Sequence, residues 1–146
     1  MKPWFKAALY LQIVWFALAI GYNCLSLASM AAGGPGYAGD QAGTVLATVA
    51  VFLFAAVTLA GFMQRKTLYK ILSPLVLVML LVGGVLKHVI LGPDSYASYG
   101  HWLTAILINV LGVIAYAVGA RLALLLPKNT LHRRRDGGMM GARKAT

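Results

Sequence analysis

Apolar residues gather into four long runs with short polar breaks between them. No charge occurs within residues 7–39, 41–64, 71–86 or 95–120. A helix needs about 20 apolar residues to cross the hydrocarbon core of a bilayer. On that basis spans are expected near 7–30, 43–63, 73–91 and 102–126. Inside lipid each backbone N–H and C=O must pair within its own segment, so the spans are read as helices.

The third span is the least regular. Ser73-Pro74 reads as N-cap and first helical residue, which gives about 19 residues and roughly 28 Å of helix. This start is preferred to one near Thr67, which would put Pro74 inside the helix. Residues 67–72 would then lie at the interface. The connections are short. Gly33-Gly34-Pro35-Gly36 reads as a flexible turn, and Asp94, following Gly92-Pro93, as another. Asp40 and Asp94 are expected to be solvated loop charges. The pattern is two apolar hairpins in tandem: one domain, 1–127, and a basic tail, 128–146, expected to be disordered. The expected fold is an all-α membrane protein, an antiparallel four-helix transmembrane bundle.

Composition supports lipid as the solvent. Of 146 residues, 60% are hydrophobic and 11% charged, against about 25% charged in a soluble domain. So short a chain cannot hide that much apolar surface in a water-soluble core. This excludes a soluble enzyme and a disordered chain. Lys2, Lys6 and Ser29-Met30-Ala31 have the outline of a signal peptide. The apolar stretch, however, far exceeds the usual 7–15 residues, and it is kept as a span.

Charge sets the expected orientation. The chain has 13 basic and 3 acidic residues, for a net charge of +10. Given four spans, Lys2, Lys6, Arg65, Lys66, Lys70, Arg121, Lys128, Arg133, Arg134, Arg135, Arg143 and Lys144 share one side. The other holds Lys87, Asp40 and Asp94. The positive-inside rule puts both termini in the cytoplasm, and the compact layout suggests a bacterial inner membrane. The run Arg133, Arg134, Arg135 is read as a lipid anchor, each basic residue contributing about 1 kcal/mol near an anionic leaflet. The partners expected are the bilayer, its anionic headgroups, and another membrane protein or a second copy. Aromatic and basic residues do not interleave, so nucleic acid is not expected. Trp4, Phe5, Tyr69, Tyr96, Tyr99 and Trp102 are read as an interfacial aromatic belt.

Membrane helices join through small residues and polar side chains. On the fourth span Ala105, Asn109, Gly112, Tyr116, Gly119 and Ala123 recur at spacings of four and three, with Ala105, Gly112, Gly119 and Ala123 as the small-residue stripe. The second span aligns Thr44, Thr48, Val51, Ala55 and Thr58; the first, Gln12, Phe16, Ala19, Asn23 and Ser26; the third, Ser73, Val76, Leu80, Gly83 and Lys87. Asn23 and Asn109 fall at similar depth, about 7 Å and 6 Å outward of their helix centres, and are expected to bond. With Ser26, Thr48, Lys87, His88 and His101 they form a candidate polar cluster in the outer half, read either as helix glue or as a vestibule for a small ligand.

The chemistry is otherwise sparse. Cys24 is the single cysteine, expected to be a buried, inert thiol. Neither it nor Ser26 or Ser29 has a visible base, and the glycine turn precedes no phosphate-loop signature. No carboxylate lies within a span, which disfavours a coupled pump. His88 and His101 flank the outer loop, where a metal or haem reading is conceivable, but no Cys, Asp or Glu completes a tetrahedral set. No metal, cofactor or catalytic residue is assigned. Lys87 is read as snorkelling to the headgroups. The leading expectation is a non-enzymatic accessory or structural subunit of a membrane complex. An oligomeric channel for a small polar solute comes second, and a haem- or metal-binding redox subunit third.

Overall fold

The computed structural model describes residues 1–37 and 39–125. The basic tail, with Arg133, Arg134 and Arg135, lies outside the described residues.

Four helices are long and apolar enough to cross a membrane: α1 (Pro3–Ala31), α2 (Gln41–Phe62), α3 (Lys66–Leu91) and α4 (Tyr99–Leu124). No β-strand occurs among the described residues. Local chemistry sets their starts. Pro3 occupies the first turn of α1, where a missing N–H is no loss. Asp40 is not merely a solvated charge: its carboxylate accepts from the Gly43 amide at 2.7 Å and caps α2. The Ser98 hydroxyl accepts from the His101 amide at 3.3 Å and starts α4 three residues before the expected 102. Gly92, with φ of +70°, turns the chain out of α3 into a short 3₁₀ turn, Pro93–Ser95.

Helix α3 departs from expectation twice. It begins at Lys66, not at Ser73, and carries Pro74 inside it. Residues 67–72 are therefore helix. Starting early buries Tyr69 completely, against Phe5 at a ring distance of 5.4 Å. Burial of Tyr69 favours the early start, against the backbone bond that an interior proline removes. The second departure is a π-helical stretch, Leu80–Leu86. A π turn takes in one more residue than an α turn, so the inward face shifts. It runs Ser73, Val76, Leu80, Gly84, with His88 half-buried, while Gly83 and Lys87 are exposed.

Helix α1 packs against α2 and α4, and α3 against the same two. The core is built of rings set into glycine gaps. A Cβ on Gly112 would come within 2.8 Å of the Trp15 indole Cε2, and one on Gly61 within 2.7 Å of Leu9 and 3.0 Å of the Tyr69 ring. A Cβ on Gly84 would meet Asn109, and one on Gly119 would meet Tyr69 Oη and Gln12 Nε2. Trp15 stands edge-on to Tyr116 at 5.7 Å and stacks on Phe54 at 6.2 Å. Phe5 and Tyr69 thus belong to the core and not to an interfacial belt. The small-residue stripe of α4 faces inward, with Ala105, Gly112, Gly119 and Ala123 all buried.

The outer surface is apolar almost throughout: Ile90 is 81% exposed, and Leu46 and Leu124 are each 70% exposed. An apolar coat of this extent is built to face lipid or another protein. Cys24 belongs to it, being exposed and not buried. It lies next to Asn23 but off the inward line of Ala19 and Ser26.

Candidate functional site

The polar groups meet near the end of the molecule that carries Phe5 and Tyr69. Gln12 of α1 is wholly buried. Its amide nitrogen donates to Tyr69 Oη at 2.6 Å and to the Ala115 carbonyl at 3.2 Å. Its amide oxygen accepts from Thr58 Oγ1 at 2.9 Å. Thr58 lies 2.9 Å from Tyr116 Oη, which donates to the Phe54 carbonyl at 2.6 Å. One chain of contacts thereby ties all four helices together through Gln12, Thr58, Tyr69 and Tyr116. From Gln12 Oε1 to the Phe54 carbonyl there are three oxygen–oxygen contacts, but the two hydroxyls supply one proton each. Either hydroxyl can turn toward the other only by releasing a carbonyl.

Beside this chain, Trp15 Nε1 and Ser73 Oγ are buried with no partner among the described residues. Unpartnered donors of this kind are costly in an apolar interior. Trp15 is held there by its fit to Gly112, which leaves its N–H no acceptor.

The outer residues singled out from the sequence do not form one cluster. Asn109 donates to the Ala105 carbonyl of its own helix at 2.8 Å and lies over Gly84; it does not bond Asn23. Thr48 returns its proton to the Thr44 carbonyl at 2.8 Å. Ser26 accepts from the Tyr37 amide at 2.9 Å, and Ser29 donates to the Pro35 carbonyl at 2.8 Å. The glycine-rich connection is therefore tied to α1, not a free turn. Its Tyr37 stacks on His101 at 4.0 Å, and Tyr22 Oη donates to the His101 carbonyl at 2.9 Å. His101 Nδ1 also meets Ser98 Oγ at 2.9 Å.

His88 bonds Tyr96 through Nδ1, and its carbonyl accepts from Trp102 Nε1 at 3.0 Å. Burial pushes the Tyr96 hydroxyl above its ordinary pKa. His88 is thus occupied by Tyr96 of the adjoining loop, and His101 by Ser98 together with Tyr37 of the first connection. Among the described residues no three His, Cys, Asp or Glu side chains gather as a metal site. Lys87 is exposed.

The buried hydrogen-bonded centre therefore lies nearer the Phe5 and Tyr69 end than the residues singled out from the sequence. Gln12, Thr58 and Tyr116 each sat on a stripe visible in the sequence. Tyr69 did not, because the helix that carries it was expected to begin after it. The usable signal was their inward phase on three helices, taken together with similar distances from the basic end.

Comparison with family models, curated proteins and solved structures finds no match to this chain.

Proposed function

We propose that the chain is an integral membrane protein, an antiparallel four-helix bundle with both termini on the cytoplasmic side. In this reading it serves as a non-enzymatic accessory or structural subunit of a membrane assembly. The observation that carries the reading is the filled interior. Trp15 occupies the gap at Gly112, Asn109 the gap at Gly84, and Tyr69 with Gln12 the gap at Gly119. The buried polar side chains of Gln12, Thr58, Tyr69 and Tyr116 hold the helices to one another. A protein with so closed a centre acts through its surface, and that surface is apolar on the flanks and basic at one end.

A solute path through one copy would have to break the contacts of Gln12 and Thr58. On the stripes that suggested a path, Thr44 and Thr58 are buried, and Thr48 and Asn109 return their protons to carbonyls of their own helices. The test is purification of the tagged protein in a mild detergent, with the mass of the particle measured by native mass spectrometry. A companion chain, or a defined multiple of this chain, is expected. A lone monomer across several mild detergents would overturn the subunit role.

A further inference from the structure

Where α2 ends and α3 begins, a cleft of about 650 Å³ opens on the side of the molecule. Its wall is apolar, formed by Ala56, Leu59, Ala60 and Met63, and its rim carries Arg65 and Lys66. The volume falls in the range of small-molecule sites, about 300–1,000 Å³. One side therefore offers hydrocarbon contact and the other positive charge, in a space a few side chains wide. Gln64, with Thr67 and Leu68 from the first turn of α3, completes the rim. Arg65 caps that helix with no side-chain bond, and a helix start favours an anion.

We propose that this cleft holds one anionic phospholipid, its phosphate at Arg65 and Lys66 and an acyl chain along Ala56, Leu59, Ala60 and Met63. Two features favour this occupant. The charge is complementary, since among the described residues that line the cleft are Arg65 and Lys66 and no carboxylate. The order of the lining is that of a lipid, with the charged rim at the helix ends and the apolar wall rising along the last turns of α2. A zwitterionic lipid would gain the apolar contact without the net charge. The proposal rests on the membrane-spanning reading.

The test uses the full chain in nanodiscs made from equal phosphatidylglycerol and phosphatidylcholine, with retained lipid read by native mass spectrometry. Wild type is expected to keep phosphatidylglycerol in preference to phosphatidylcholine. The pair Arg65→Gln and Lys66→Gln should lower that retention about tenfold or more. Ala56→Phe, at an exposed position on the wall, should lower it without changing charge. The pair Lys2→Gln and Lys6→Gln removes the same charge at the same end but outside the cleft, and should lower retention far less. Equal retention of the two lipids, an equal loss in the Lys2 and Lys6 pair, or displacement by soluble glycerol phosphate or an acidic peptide would overturn the proposal. Alkaline carbonate extraction separates the two levels: release of wild type into the wash would refute the spanning reading itself, whereas pelleted variants with unaltered lipid would refute only the site.

Discussion

At the level of single residues, Gln12 decides most. Its side chain bonds groups on each of the other three helices, through Tyr69, Thr58 and Ala115. Bonds of this type between apolar helices average only about 0.6 kcal/mol, with a maximum near 1.7. Their removal is costly mainly when a buried partner is stranded. Thr58→Val leaves Gln12 Oε1 without its donor and should destabilise by about 1–2 kcal/mol. Tyr116→Phe relieves the contest among three contacts for two protons, and the Phe54 carbonyl keeps its helical bond, so the loss should stay below about 1 kcal/mol. Thermal unfolding in detergent ranks the two, and a reversed order would show the chain to be wired differently. With Gln12→Leu added, the cost of Thr58→Val should fall, since contacting residues are not additive. The sequence shows Gln12, Thr58 and Tyr116 to be inward-facing, but not that they touch.

The informative element is α3. A stripe drawn at ordinary helical spacing puts Gly83 and Lys87 on the inner face. The π-helical stretch puts Gly84 there instead, under Asn109. Nothing in the local run Leu80–Leu86 announces this; the extra residue is accommodated where two adjacent glycines remove side-chain obstruction and a neighbouring helix supplies a bulky partner. The two glycines therefore make a register test. A Cβ at Gly83 meets nothing within 4 Å. Gly83→Ala should be neutral or stabilising by about 0.5–1 kcal/mol, as expected for glycine in a helix. Gly84→Ala drives a methyl into the Asn109 amide and should cost about 1–3 kcal/mol. Unfolding midpoints of the pair give the answer, and the opposite order would restore the unbroken α register. Pro74 carries a similar lesson. Proline is a reasonable signal for a helix start, but here it was overridden by the contacts Tyr69 makes one turn earlier.

For the molecule as a whole, the charge pattern makes the sharpest statement. With Cys24→Ala as background, Thr67→Cys and Ala97→Cys place single thiols at exposed positions at opposite ends of α3, the first in its opening turn and the second on the connection to α4. In intact cells an impermeant maleimide should label Ala97→Cys, and should reach Thr67→Cys only after permeabilisation. Labelling of both from outside, or the reverse order, would contradict the placement drawn from twelve basic residues against Lys87.

The sequence alone determined the number of long helices, their approximate extents and which face of α1, α2 and α4 turns inward. These follow from local constraints: an apolar run must be long enough for lipid and free of charge, and periodicity marks the polar face. Only the tertiary structure decided which inward groups meet, where α3 starts and how its face shifts. Gln12 and the Ala115 carbonyl lie 103 residues apart. A contact across that separation depends on the rotation and depth of whole helices, which side-chain fit such as Trp15 on Gly112 sets and periodicity does not.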